Sequence, residues 1–453
     1  MLHRFIALRP CLLLAACQLV PLTAAEPIPL VNRPNIVVIV ADDMGYADLG
    51  FTGLKEVATP NIDAIVAHGV HFTQGYASAG ICSPSRAGLL TGRYQERWGH
   101  DDNACEDLAT TESTLGDRLK SLGYTTGMIG KWHQGNAPEL LPTRRGFDEV
   151  FHPAGNAVYF GAKILDSLRG PDFQPPVGKQ VYTTELNAAR AADFITRHKN
   201  QPFGLYLAFN NVHAPLDVPQ KYLDRVTAVT VNPERKVMAG MILALDDAVG
   251  VVMKSLRESE VERNTLVVFI NDNGSYDKYV KAKVCDQGLL RGGKSTLWEG
   301  GIHVPFAMQW KARWPGGASY NHPVIALDVL PTAIAAAGGT IQPTWKLDGV
   351  NLLPHLDGKD QSEPHHSLYW RMAQRSAIRT GEWKLLVSVT PNQQPIKPQL
   401  FHLSKDPGER HDLANQFPER VRDMQADWNQ WASELPPART EPVKQGSTKT
   451  SEQ

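Results

Sequence analysis

Asn35-Ile36-Val37-Val38-Ile39-Val40, running directly into Ala41-Asp42-Asp43, is a β-branched stretch long enough for a strand buried on both faces. The same rhythm recurs downstream. Thr59-Pro60 opens a helix as N-cap and first-turn proline, Ile62, Ile65 and Val66 form its apolar face, and Gly69 stops it. A helix from about Thr114 to Leu122 precedes the strand Tyr124 to Ile129, which delivers Gly130-Lys131-Trp132-His133. A helix over about Thr184 to Arg197 precedes the strand Phe203 to Phe209, followed by Asn211, His213 and Pro215. A helix through Met238 to Leu256 precedes the strand Thr265 to Ile270, followed by Asn271-Asp272-Asn273-Gly274. Strands alternating with helices predict an α/β fold with a large, mostly parallel sheet covered by helices on both faces. Ligands bind such sheets at the carboxyl ends of the strands, where all these polar clusters fall.

The pattern changes after about Leu356. Leu368 to Trp370, Ser376 to Arg379, Trp383 to Val389 and Gln399 to Leu403 read as short strands of a small C-terminal antiparallel sheet, closed by an amphipathic helix from about Glu419 to Ala432. The expected organisation is a leader over 1–25, a catalytic α/β domain over 26–356, an α+β subdomain over 357–435 and a disordered tail over 436–453. With 453 residues and 42% hydrophobic content the chain can fill one large core and a smaller one. Its net charge of −1 provides no general attraction to nucleic acid or to an anionic membrane, so an anionic substrate needs a local basic pocket.

His3, Arg4 and Arg9, the apolar Cys11 to Leu22, and Thr23-Ala24-Ala25 before Glu26 read as an export signal, too short for a membrane span. Leu14-Ala15-Ala16-Cys17 also fits a lipoprotein cleavage pattern, which would leave Cys17 lipidated. Ordinary cleavage is the favoured reading, and either route predicts a periplasmic or secreted protein. Cys82, Cys105 and Cys285 then remain in the mature domain. Sequence separation alone leaves pairing of Cys105 with Cys285 open.

Cys82-Ser83-Pro84-Ser85-Arg86, then Ala87-Gly88-Leu89-Leu90 and Thr91-Gly92-Arg93, could be a buried cysteine opening a small-residue helix. The whole string, however, resembles the signature of the type I sulfatases, members of the alkaline phosphatase-like superfamily. Gly130-Lys131-Trp132-His133 also looks like a family motif, Leu400-Phe401-His402-Leu403 through Asp412-Leu413 resembles the C-terminal segment common in bacterial sulfatases, and the chain as a whole resembles bacterial polysaccharide sulfatases. The resemblance runs from Asn35 to about Leu413. It implies that formylglycine-generating machinery oxidises Cys82 to formylglycine, whose hydrate carries two hydroxyls on one carbon. One hydroxyl takes the sulfuryl group, and loss of the other's proton expels sulfate, so one hard displacement becomes two easier ones.

Asp42 and Asp43 could merely cap a turn. With Asp272, Asn273 and an oxygen on residue 82 they make an all-oxygen set suited to a hard cation, most simply Ca²⁺, and the family's ligands map onto these positions. Lys131 and His133 could be a solvated lysine and a loop histidine. The resemblance makes Lys131 a sulfate clamp and His133 the base that strips the remaining hydroxyl. It makes His213 the general acid for the leaving oxygen, in a pH range where imidazole titrates. Lys294, in Arg291-Gly292-Gly293-Lys294, completes the anion cradle, and Arg86 returns to the modified side chain with a fixed charge. Arg97, His100, Asp101 and Asp102 follow the signature in a region where related enzymes contact the sugar, although a charged run is more often a solvated loop.

The resemblance thus implies a sulfatase acting on a sulfated carbohydrate. One rival is a phosphate or phosphonate ester hydrolase of the same superfamily, although the sequence offers no second His/Asp set for a two-zinc site. Another is a noncatalytic glycan-binding relative, against which the retained Cys82, Arg86, Lys131, His133, His213 and Lys294 argue.

Overall fold

The computed structural model describes residues 33–153, 158–161, 164–168, 181–227, 232–389 and 394–439. The expected leader, Cys17 and residues 440–453 lie outside them. Asn35–Ala41 forms a strand in which every residue is buried. Side chains alternate along a strand, so Val37, Ile39 and Ala41 enter one core while Ile36, Val38 and Val40 enter the other. Phe203–Ala208 and Thr265–Asn271 pair with it on either side, both parallel. Thr125–Gly130 lies parallel beyond Phe203–Ala208, and Glu149–Pro153 parallel beyond that.

These five strands are the centre of a nine-stranded sheet whose rims change direction. Phe306–Gln309 lies antiparallel to Thr265–Asn271, and Val70–Phe72 antiparallel to Phe306–Gln309, with Ala318–Tyr320 parallel outside it. Ile164–Asp166 closes the other edge antiparallel to Glu149–Pro153. The helices Thr183–His198 and Pro233–Glu258 cover one face through residues such as Phe194, Ile195, Leu245 and Val249. Cys82–Thr91, Leu115–Ser121 and Val329–Ala336 cover the other through Leu89, Leu119 and Leu330. The sheet is therefore mostly parallel and covered on both faces, as its sequence rhythm predicts.

Local chemistry sets several boundaries. Pro233–Glu258 starts earlier than apolar periodicity suggests because the Asn232 side chain accepts from the amides of Glu234 and Arg235, with Pro233 in the first turn. Thr114 and Asp117 form a reciprocal capping box at Leu115–Ser121. Thr59 departs from its expected role. Its hydroxyl makes no cap hydrogen bond; it donates to Asp63 and accepts from the Gly50 amide, binding the helix to the preceding turn.

Ser367–Met372, Arg375–Thr380, Trp383–Val389 and Pro395–His402 form the small antiparallel sheet, and the helix Pro418–Ala432 packs on it through Met424 and Trp431. Leu368, Trp370 and Trp431 share a core with Tyr76, Ile325 and Leu327 of the large unit. Pro436–Arg439, expected to begin a tail without fixed structure, lies against the main body. The Arg439 amide donates to the Gly99 carbonyl at 2.9 Å, and the Cys105 thiol to the Arg439 carbonyl at 3.2 Å. Among the described residues no helix is long and apolar enough to cross a membrane.

The two units are also joined by charge. Fully buried Lys384 lies 2.8 Å from Glu299 and 2.9 Å from Glu409. Removing the cation strands two buried carboxylates, so Lys384→Met is expected to cost about 3–5 kcal/mol of stability. Denaturant unfolding measures this, and an unchanged midpoint would refute the account.

Candidate active site

The carboxyl ends of four neighbouring parallel strands open on one edge of the sheet. Asn35–Ala41 delivers Asp42 and Asp43, and Thr265–Asn271 delivers Asp272 and Asn273. Thr125–Gly130 delivers Lys131 and His133, and Phe203–Ala208 leads to His213. The helix Cys82–Thr91 points its first residue into this edge, and Arg86 follows one turn later on the same side. Gly130 permits the approach: its φ is 97°, and a Cβ there would lie 1.9 Å from the Ala208 carbonyl oxygen.

Cys82 Sγ is the centre. It donates to Asp42 Oδ1 and Asp43 Oδ1, each at 3.6 Å. Lys131 Nζ donates to Asp42 Oδ2 at 2.7 Å, and Lys294 Nζ to Asp43 Oδ2 at 2.7 Å. Arg86 Nε donates to Asp272 Oδ2 at 2.9 Å, and one terminal nitrogen forms ion pairs with that oxygen at 2.8 Å and with Asp42 at 3.6 Å. Three buried carboxylates are thus matched by three buried cations. Burial works against the charge on Asp42, but Lys131, His213 and Arg86 outweigh it and hold the carboxyl down at about 2. Burial, and next the neighbouring Asp43, push the Cys82 thiol well above its ordinary value. An unmodified cysteine here stays a thiol, the wrong form for a sulfur nucleophile.

Lys294 arrives by a close backbone approach. Its amide donates to the Ser275 carbonyl at 2.7 Å, and a Cβ on Gly293 would meet that carbonyl oxygen at 2.3 Å. His213 Nδ1 donates to the Ala214 carbonyl, leaving Nε2 3.1 Å from the Tyr276 hydroxyl and 3.4 Å from Asp43 Oδ2. His133 stands on the other side, with Nε2 2.8 Å from Glu106 Oε1 and its carbonyl accepting from Ser83 Oγ at 2.8 Å. Asp43 and His133 both hold left-handed backbones, with φ of 58° and 57°, a conformation that collects at functional sites.

Donor chemistry tests whether a cation fits. One ligand atom from each of Asp42, Asp43, Cys82 and His213 lies within 4.8 Å of the others. Asp272 Oδ1 accepts the Asp43 amide at 3.2 Å, and Asn273 Nδ2 donates to Asp43 Oδ1 at 2.7 Å. Asn273 Oδ1 is buried with no hydrogen-bond partner among the described residues. A buried oxygen left unpaired beside three carboxylates fits a hard cation. The structure also brings His213 close to this set, adding an imidazole nitrogen to the oxygen donors.

The residues considered for sugar contact are engaged elsewhere. Arg97 forks onto Asp348 and reaches Glu434 at 3.2 Å, and Arg371 forks onto Asp101. Asp102 caps the turn Asn103–Cys105. His100 is fully buried, held neutral by burial that drives it down to about 3, and its Nε2 meets Ser83 Oγ at 3.0 Å. Arg145 donates to the carbonyls of Leu108, Ala109 and Glu112. Cys105 and Cys285 are both free and buried. Glu106 and Tyr276 touch the two site histidines yet belong to no recognisable motif. Only the closeness of Tyr276 to Asp272-Asn273 in sequence hinted at either.

The chain is similar to known proteins of one family. The Sulfatase family model matches residues 34–339. Arylsulfatase A of Bos taurus is 32% identical over 450 residues, covering 88% of this chain and 87% of that protein. The solved structure of Ps i-CgsB in complex with k-i-k-neocarrahexaose matches with a TM-score of 0.82 at 32% identity, over 90% of this chain and 94% of that one. The phosphonate monoester hydrolase of Agrobacterium radiobacter shares the fold, with a TM-score of 0.65 at 19% identity over 89% of this chain and 96% of that one. With its alkaline phosphatase-like fold and these matches, the chain belongs to the sulfatase family and is a sulfuric ester hydrolase.

Proposed function

We propose that this sulfatase removes sulfate from a sulfated carbohydrate, using residue 82 after its oxidation to formylglycine and a Ca²⁺ ion held by Asp42, Asp43, Asp272, Asn273 and residue 82. The observation that carries the reading is the convergence of three buried carboxylates and the unpaired Asn273 oxygen around Cys82, flanked by Lys131, Lys294 and Arg86. When present, the aldehyde hydrate supplies a nucleophile with a second hydroxyl, and the cation neutralises developing negative charge. The Cys82 sulfur stands in for the hydrate oxygen in this arrangement.

The chain's own residues do the rest. Lys131 and Lys294 are the donors for the sulfuryl oxygens, and their buried ammonium groups act with little screening. Arg86 fixes Asp272 by an ion pair and helps hold Asp42 ionised. His213 donates its Nε2 proton to the leaving oxygen, because Nδ1 is engaged by the Ala214 carbonyl. His133 accepts the proton whose loss releases sulfate.

A carbohydrate substrate is supported by the likeness to Ps i-CgsB, solved with a carrahexaose. Export to the periplasm or medium and maturation by formylglycine-generating machinery belong to the same proposal. Release of sulfate from defined sulfated oligosaccharides, beside matched phosphate esters, tests it. Preferred turnover of the phosphates, or oligosaccharide binding by fully modified protein without sulfate release, would overturn it.

The cation assignment has its own test. Asp42→Asn or Asp272→Asn removes one formal charge from a hard-cation site and is expected to weaken Ca²⁺ binding on the order of 10²-fold, with excess Ca²⁺ restoring part of the lost activity. Calorimetric titration measures the affinity. Stoichiometric zinc in active protein, with indifference to Ca²⁺, would show that the mixed set including His213 holds the metal instead.

A further inference from the structure

We propose that Glu106 is a positioning residue of this sulfatase, locking the His133 ring with its hydrogen on Nε2 so that Nδ1 is the nitrogen that takes the proton. The inference rests on the reading of His133 as the base. An ionised carboxylate only accepts hydrogen bonds, so the 2.8 Å contact from His133 Nε2 to Glu106 Oε1 places the hydrogen on Nε2 in both charge states of the ring. Glu106 is held ionised, its carboxyl below the ordinary range chiefly through this hydrogen bond. His133 Nδ1 is buried and has no hydrogen-bond partner among the described residues. Buried ring nitrogens are normally paired, so an idle one on a histidine beside the nucleophile's helix calls for a transient partner.

The surroundings are built to keep this geometry. The His133 carbonyl is pinned by Ser83 Oγ, the residue next to Cys82. Glu106 sits between two anchored neighbours, because the Cys105 thiol donates to the Arg439 carbonyl and an Arg439 guanidinium nitrogen donates to the Asp107 carbonyl at 3.0 Å. The segment Pro436–Arg439 therefore braces the loop that carries the carboxylate. Among the described residues, the charged or titratable groups acting on the His133 ring include Glu106, His100 from the preceding loop, Lys131 from its own segment and Arg86 from the signature helix. Burial lowers the proton affinity of the ring, Lys131 and Arg86 add to that, and Glu106 opposes them. The carboxylate thus sets both the tautomer and the strength of the base.

Glu106→Gln keeps an acceptor but loses the charge. Its kcat on a sugar sulfate is expected to fall about 10²-fold with little change in KM, and the acid limb of the kcat profile to move to lower pH. Glu106→Ala should lose as much or more, and added formate should restore part of it, since the Glu106 side chain is 35% exposed. A readout independent of turnover is ¹⁵N NMR of the His133 ring in protein that retains Cys82 as a thiol. The Nε2–H form should dominate in wild type and give way to mixed tautomers in Glu106→Ala. A wild-type Nδ1–H ring, or a Glu106→Gln enzyme with unchanged kcat and pH profile at equal formylglycine content, would overturn the proposal. An unmodified thiol at residue 82 in active enzyme would instead defeat the nucleophile reading, leaving the NMR result to judge Glu106 by itself.

Discussion

Cys82→Ala is expected to yield a folded protein that releases no sulfate, with kcat reduced on the order of 10⁶-fold. The fold should tolerate the change because Sγ makes only long contacts, at 3.6 Å, and alanine is a good residue for the first turn of a helix. The loss should be close to complete because no other side chain can replace the nucleophile. Lys131, Lys294 and Arg86 are cations, His133 bonds Glu106, and Asp42 and Asp43 are engaged by the two lysines. Thermal unfolding and sulfate release check the two halves. Mass analysis of the wild-type peptide carrying residue 82 completes the test, and an active preparation retaining the thiol there would sink the mechanism.

His213→Ala should separate substrates by leaving group. A sugar alkoxide leaves poorly and needs a proton as the O–S bond breaks, whereas nitrophenolate departs without one. General-acid help is worth about 10²–10⁴-fold and should be lost for the sugar sulfate far more than for the aryl sulfate. Lys131→Ala and Lys294→Ala should damage both, because in the proposed mechanism their ammonium groups serve the sulfuryl oxygens whatever departs. The measurement is kcat/KM for both substrates in variants of equal formylglycine content. An equal loss on both substrates from His213→Ala would make His213 a sulfate contact, not the acid. Its Nε2, between the Tyr276 hydroxyl and Asp43, is compatible with proton delivery because the side chain is 15% exposed and borders both the buried charges and solvent.

The central sheet and its polar edge were legible because each signal is local. A β-branched run such as Asn35–Ala41 buries both faces wherever it sits, and a polar cluster directly after a run must emerge at the strand's carboxyl end. Lys131, His133, His213 and the acidic clusters could therefore be assigned to one edge from the sequence, whereas Cys82, Arg86 and Lys294 joined them only through the resemblance to the sulfatases. The short rim strands were not legible. Val70–Phe72, Phe306–Gln309 and Ala318–Tyr320 become strands through hydrogen bonding to partners distant in sequence, and three or four residues carry too little periodicity to announce it.

The same distinction divides the charged residues. Residue types alone limited the chemistry of the site: hard oxygen donors for a cation, fixed cations for an anion, imidazoles for proton transfer. Which charges are spoken for was settled only by folding. Arg97 and Asp101 read as part of a charged run, more often a solvated loop than a sugar contact, and only the fold shows that Asp348 and Arg371 pair with them. Glu106 reads as an ordinary acidic loop residue until His133 arrives at 2.8 Å. Sequence by itself determined the sheet and its polar edge, because hydrophobic rhythm is a property of short segments, and the family through the likeness of short motifs such as Cys82–Arg93. The tertiary structure decided the partners of each charge, because an ion pair or an imidazole hydrogen bond depends on which distant strands and loops the sheet order brings together.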